Sequence, residues 1–185
     1  MEAVFLDRDG VINENRPDHV KSWAELELLP GAVDAIARLA RAGVPVFVIT
    51  NQAIVNRGLV SREVVEEINA RMVREIEAHG GRIADIAYCP HRDDEGCECR
   101  KPQPGLLVTL ARKHGIDLGD SVLIGDALTD MQAGRAAGCD TVLVLTGRGR
   151  AQLSLITASD LDALTVAADL EDAVSLLLSR QRVLA

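Results

Sequence analysis

The chain has 185 residues, enough for one well-cored domain and short for two, and 48% of them are hydrophobic while only 2% are aromatic, so the core is aliphatic. Its 28 acidic against 20 basic residues give a net charge of -8, which argues against a nucleic-acid partner and leaves any small anionic ligand to be met by a few local cations. No apolar run is long enough to cross a membrane, and the N-terminus has no basic stretch followed by an apolar one; the expectation is a cytoplasmic monomer.

In chain order, Ala3-Val4-Phe5-Leu6 is an unbroken apolar run that stops at Asp7 and Asp9, as a strand buried on both faces would. Residues 11–29 are polar and mixed, a loop long enough to lie over the end of that strand. Pro30-Gly31 introduces an amphipathic helix that Gly43 ends, and Val44 to Ile49 forms a second buried strand running into Thr50-Asn51-Gln52. A helix capped by Ser61 continues to Ile76 and closes at Gly80-Gly81. Ile83 to Tyr88 is a third strand that leads into Cys89. Leu106 to His114 reads as a helix, Ser121 to Asp126 as a strand ending in an acid, Asp130 to Ala137 as a short helix and Thr141 to Leu145 as a strand. Residues 147–159 read as loop, 164–168 as an edge strand and 170–178 as a closing helix. Strands and helices alternate throughout, which implies a parallel sheet with helices on both faces.

A parallel sheet places Asp7/Asp9, Thr50/Asn51 and Asp126 on one edge, where ligands of such sheets bind. For Asp7-Arg8-Asp9-Gly10 alone, an acidic turn is the plain alternative; the convergence of several strand ends argues for a site. Asp7 suits a nucleophile that attacks phosphorus, and Asp9 an acid/base that protonates the departing oxygen and later activates water. Asp126 completes an oxygen site for Mg2+, Thr50 can donate to a phosphoryl oxygen, and Lys101 supplies positive charge. A second group, Cys89-Pro90-His91 with Cys97-Glu98-Cys99, has the ligand types of a closed structural Zn2+ site in a loop with no apolar content to fold it; a Cys97–Cys99 or Cys89–Cys97 disulfide, or unrelated thiols, are the alternatives. Arg100, planar and forked, suits a second phosphate. Cys139 reads as a small buried residue, and His19, His79 and His114 show no partner in the sequence.

With Asp7-Arg8-Asp9-Gly10, Thr50, Lys101, Gly125-Asp126 and Asp130 in this order, the chain resembles the haloacid dehalogenase superfamily. That resemblance implies a Rossmann-like three-layer sandwich without a large cap domain, spanning residues 1–185 as a single domain, and Mg2+ on Asp7, the Asp9 main-chain carbonyl and Asp126. Within the superfamily, Cys-Pro-His, Cys-x-Cys-Arg-Lys-Pro and Thr-Asn-Gln with a following Arg-Gly are similar to the D-glycero-D-manno-heptose 1,7-bisphosphate phosphatases and their relatives, the histidinol-phosphatases. The likeness implies hydrolysis of a sugar bisphosphate to heptose 1-phosphate through an aspartyl-phosphate, with histidinol phosphate the alternative substrate and a non-catalytic zinc-containing module the alternative of another class. It places Asn15, Arg16, Pro17 and Asp18 at the substrate entrance and Asn51 and Arg100 on the sugar or remote phosphate; Gln52 and Arg57, in the segment that carries the likeness, join the substrate-binding set. The five-residue gap between His91 and Cys97 is nearer the histidinol-phosphate branch, and Ile54 and Ala127 depart from the heptose pattern.

Overall fold

The N-terminal apolar run divides its side chains between two opposite faces, as the two-residue period of a strand requires. Val4 and Leu6 enter one hydrophobic cluster and Ala3 and Phe5 another, all fully buried. The same division recurs in the neighbouring strands: Val46, Val48, Val122 and Ile124 join the first cluster, and Phe47, Ile49 and Leu123 the second. In the computed structural model, which describes residues 1–156 and 164–184, six parallel strands form the sheet: β1 (Val4–Leu6), β2 (Val46–Asn51), β3 (Asp85–Cys89), β4 (Val122–Gly125), β5 (Asp140–Val144) and β6 (Thr165–Ala167). Their spatial order is β3-β2-β1-β4-β5-β6.

Helices α1 (Ala32–Arg41), α2 (Arg62–Ala78) and α6 (Leu170–Leu184) cover one face through residues such as Ile36, Leu39, Ile68, Met72 and Val174. Helices α3 (Gly105–His114) and α4 (Leu128–Ala137) cover the other through Leu106, Leu107, Leu110 and Ala133. The result is a three-layer α/β sandwich of Rossmann type. The apolar side chains of α1 recur at 32, 35, 36 and 39, the spacing that puts one stripe on the sheet.

Several expected boundaries shift for local reasons. The second strand begins at Val46 because Pro45 has no N–H to give the ladder; its carbonyl instead accepts the Val4 N–H at 3.0 Å. The helix expected from Asp130 starts at Leu128, and Asp130 caps it by accepting the Ala127 N–H at 3.0 Å. The segment read as loop from 147 contains a short helix, α5 (Gly149–Leu153), whereas its last positions, 157–159, lie outside the described residues. The closing helix runs past Leu178 to Leu184 because nothing after 178 breaks it. The long segment between β1 and α1 crosses the site edge, tied down where the Gly10 N–H donates to the Asn13 carbonyl at 2.6 Å and the Leu29 N–H to the Ile12 carbonyl at 2.9 Å. Among the described residues no helix is long and apolar enough to cross a membrane.

Candidate active site

The strand order reverses direction between β1 and β4, and a parallel sheet opens a crevice at that point. Asp7 and Asp9 follow β1 and Asp126 follows β4, so the acids come from the two strands that flank the crevice. Lys101, on the loop before α3, reaches in from the side: its Nζ lies 2.9 Å from Asp7 Oδ1 and 2.6 Å from Asp130 Oδ1, and it donates to the Ile49 carbonyl at 3.0 Å. The four groups are 5%, 0%, 1% and 3% exposed for Asp7, Asp126, Asp130 and Lys101. Charges this deep persist only when each has a partner.

Asp7, Asp126 and Asp130 each bring a carboxylate oxygen within 4.8 Å of the others, an all-oxygen donor set of the kind a hard divalent cation takes. The set fits Mg2+, but its members are not equivalent. Asp130 spends one oxygen on Lys101 and the other on the Ala127 N–H, so it positions the lysine. Asp7 takes its Arg8 N–H and Lys101 contacts on Oδ1, and Asp126 faces Arg148 with both oxygens. Gly10 and Gly147, both at positive φ, press so closely on the Asp126 carboxylate that a Cβ on either would overlap it. The Thr146 hydroxyl fixes this wall by donating to the Gly10 carbonyl at 2.6 Å.

Electrostatics separates the acids. Burial, opposed by Lys101 and reinforced by Asp130 and Asp9, raises the Asp7 carboxyl to about 6. Burial and the Asp7 charge likewise push Asp126 up, against the pull of Arg148. Asp9 goes the other way: burial opposes ionisation, but the Arg8 guanidinium and hydrogen bonds from Asn13 and Gln52 hold it below the usual carboxylate range. Arg8 is itself wholly buried, with 3.0 Å contacts to Asp9 Oδ2 and to Asn69 Oδ1 on α2. Burial works against the Lys101 charge, yet Asp130 and Asp7 raise its pKa.

A cavity of about 630 Å3 opens onto these groups, lined by Asp7, Asp9, Thr50 and Lys101 at its floor. Of the residues expected to bind substrate, Asn15, Asn51, Arg57 and Arg100 also line it, as do Arg16 and Pro17. Two of that set stand elsewhere. Gln52 is buried and its amide is engaged with Asp9 Oδ2 at 2.7 Å and Thr50 Oγ1 at 2.9 Å, so it holds the machinery and does not line the cavity. Asp18 points outward, paired with Lys21 at 2.6 Å and Arg16 at 3.2 Å. Asn51 faces the cavity but is also a brace: its side chain accepts the Lys101 N–H and donates to the Lys101 carbonyl.

Sequence reasoning did not single out Arg148. It lines the cavity, its backbone N–H donates to Asp126 Oδ2 at 2.8 Å, and its guanidinium lies 3.2 Å from Asp126 Oδ1. Its one clue was position, directly after the Thr146-Gly147 that follows β5. The histidines acquire partners: His114 pairs with Asp85 at 2.8 Å and lies tilted against the Phe47 ring, His79 bonds the Glu75 carbonyl, and His19 meets Arg57. Cys139 is buried, and burial first, then Asp140, raises its thiol to about 11.

Beside the cavity, Cys89 at the end of β3 gathers His91, Cys97 and Cys99. Neighbouring ligand atoms stand 3.1 Å apart for Cys89 and Cys99, 3.2 Å for His91 Nδ1 and Cys99, and 3.6 Å for Cys89 and Cys97. All the cysteines are free, so the disulfide alternative is not realised. Four such atoms, mutually close and of types S, N, S and S, match the closed tetrahedral donor set of Zn2+. Burial is the first influence on each of these thiols, pushing Cys89 and Cys99 up; at Cys97 hydrogen bonds, led by the Arg100 amide, outweigh it and bring the thiol to about 7.

Residues 98–173 match the HAD-hydrolase-like family model. The chain is 43% identical over 146 residues to the D-glycero-beta-D-manno-heptose-1,7-bisphosphate 7-phosphatase of Pseudomonas aeruginosa, covering 79% of this chain and 82% of that protein. It is 43% identical over 154 residues to the enzyme of the same name from Bordetella bronchiseptica, covering 83% and 86%. The crystal structure of the B. bronchiseptica D,D-heptose 1,7-bisphosphate phosphatase, complexed with magnesium and phosphate, superposes with a TM-score of 0.91 at 39% identity, over 97% of this chain and 99% of that one. A strand edge that brings buried carboxylates and a lysine together, in a chain alike over this length, has one home: the protein belongs to the D-glycero-D-manno-heptose-1,7-bisphosphate 7-phosphatase family of haloacid dehalogenase-like hydrolases.

Proposed function

We propose that the chain is a Mg2+-dependent phosphatase that removes one phosphate from a heptose 1,7-bisphosphate and leaves heptose 1-phosphate. The observation that carries this reading is the Asp7 carboxylate, paired with Lys101 at 2.9 Å beside Asp126 on the floor of the cavity. Asp7 attacks phosphorus and the bond from phosphorus to the sugar oxygen breaks, giving an aspartyl-phosphate. Asp9 delivers a proton to the departing oxygen and then takes one from the water that hydrolyses the intermediate. Asp9 is held ionised by Arg8, Asn13 and Gln52 before substrate arrives, and the approaching phosphate dianion raises its proton affinity at the moment the acid is needed. Lys101 and the Thr50 hydroxyl meet the phosphoryl oxygens, and Gln52 keeps Asp9 and Thr50 in register. Asp7 and Asp126, with the Asp9 carbonyl, would hold Mg2+, which would supply positive charge that lets one anion approach another.

Released phosphate from heptose 1,7-bisphosphate, histidinol phosphate and an aryl monophosphate tests the assignment, with kcat/KM as the measure of transition-state binding. The heptose bisphosphate is expected to exceed histidinol phosphate by at least about 100-fold. Equal or reversed preference would move the chain to the histidinol-phosphate branch, and inactivity on every phosphate would leave only a binding module.

The cysteine cluster is proposed to hold one structural Zn2+. Residues 92–96 between the two ligand pairs are exposed and polar, so a metal stands in for the core that the loop lacks. One zinc per chain is expected by elemental analysis, with loss of that zinc and a lower Tm in Cys97→Ser. A zinc-free wild type with the same Tm would refute the site.

A further inference from the structure

Six cationic side chains line the cavity: Arg16, Arg57, Arg92, Arg100, Lys101 and Arg148. Five already face carboxylates. Arg16 pairs with Asp18 at 3.2 Å, Arg92 with Asp94 at 3.2 Å, Arg100 with Asp93 at 2.5 Å, Arg148 with Asp126 at 3.2 Å, and Lys101 with Asp7 and Asp130. Arg100, the residue that the sequence favours for a second phosphate, also donates to the His91 carbonyl at 3.2 Å, which ties it to the cysteine loop. Among the described residues Arg57 pairs with no carboxylate. Its guanidinium meets a neutral acceptor, His19 Nε2, at 3.1 Å.

Both partners are held there by the backbone. Arg57 sits in a turn closed by its own N–H to the Ala53 carbonyl at 2.9 Å, and Asn56 next to it is fastened to Glu95 of the cysteine loop at 3.1 Å. His19 is the one non-glycine residue at positive φ among those described, with φ 63, on the loop that crosses the cavity from the other side. Histidine is one of the few side chains tolerated in that conformation, and there its ring faces Arg57. Burial first, then the Arg57 charge, hold the imidazole below its ordinary pKa, and because a guanidinium can only donate, this contact uses Nε2 as its acceptor.

We infer that Arg57 is the residue that recognises the remote phosphate of the bisphosphate substrate, and that His19 is a positioning residue that aims its guanidinium into the cavity. A guanidinium aimed by a neutral acceptor keeps its full charge and its remaining N–H groups for an incoming oxyanion. The other cavity arginines must first give up a carboxylate, and in a chain of net charge -8 such an uncommitted cation draws in an anion with two charged ends.

The inference rests on the bisphosphatase reading, and two substrates separate the two claims. For Arg57→Met, kcat/KM on heptose 1,7-bisphosphate is expected to fall roughly 10–100-fold, mostly through KM, with a loss on an aryl monophosphate at least about tenfold smaller. His19→Ala is expected to raise KM for the bisphosphate several-fold. His19→Gln, which restores an acceptor near the Nε2 position, recovers most of that, and His19→Ala adds nothing on the Arg57→Met background. Equal losses on the two substrates would make Arg57 a structural residue, and no loss on either would return the remote phosphate to Arg100; each overturns the inference. Additive His19 and Arg57 effects would refute the positioning role. A wild type with no preference for the bisphosphate over the monophosphate refutes the remote subsite, while its aryl phosphatase activity still reports on the Asp7 chemistry.

Discussion

Asp7→Asn is expected to lower kcat on an aryl phosphate by at least about 10^4-fold while the protein stays folded. The two halves of that expectation have separate causes. An amide cannot form the acyl-phosphate bond, so the covalent route closes entirely. The fold, by contrast, gains as well as loses: the native carboxyl is raised to about 6, so at neutral pH its ionised form is unfavourable in the folded state, and an uncharged amide removes that cost. Asn can still accept the Arg8 N–H, which Asp7 takes at 2.7 Å, and Lys101 keeps Asp130 as a counter-ion. Turnover by the purified variant within tenfold of wild type would show that Asp7 is not the nucleophile; a Tm close to wild type would confirm that inactivity is not misfolding.

Lys101→Met is expected to damage both chemistry and stability. Methionine preserves much of the volume, but Asp7 and Asp130 are left buried with their shared cation gone, a change that costs roughly 3–5 kcal/mol in comparable interiors. Loss of the charge that meets the phosphoryl group costs a further factor of about 10^2–10^3 in kcat. The stability loss has a pH signature. A carboxyl whose folded pKa is raised above its unfolded value binds the extra proton in the folded state, so stability falls as pH rises from about 4 through about 6. Without Lys101 the Asp7 carboxyl rises further, so the gap between variant and wild type, measured by urea unfolding in chelator, is expected to be widest near pH 8 and to narrow towards pH 5. A gap independent of pH would mean that packing, not the stranded charges, is responsible.

Much of this arrangement could be read from the chain because apolar runs ended abruptly in functional groups. Ala3 to Leu6 gave no polar residue until Asp7, and Val122 to Gly125 none until Asp126, so strand ends and acids announced themselves together. The cysteines and His91 were visible because ligand types cluster within a few positions. What stayed hidden depends on direction and not on identity. Gln52 stands in the expected segment, yet only its rotation inward onto Asp9 and Thr50 makes it a brace. Asp130 is a capping acid by position, and its hold on Lys101 depends on a contact between distant segments. Arg148 lies in a Gly-containing stretch with no spacing to mark it, and the short helix α5 after it has too few residues to show a period. His19 and Arg57 are 38 positions apart, and no local pattern links them.

The position of β1 has a consequence for biosynthesis. β1, which precedes the other strands in the chain, becomes an interior member of the sheet, with β2 on one side and β4 on the other. A nascent chain can lay down β1 to β3 early, but its second flank stays bare until Val122 to Gly125 have emerged, and Asp126 follows immediately behind. On the mechanism proposed above, the acid that follows β4 arrives together with the strand that seals this vacant edge, and a prematurely terminated product ending before that strand is expected to be inactive.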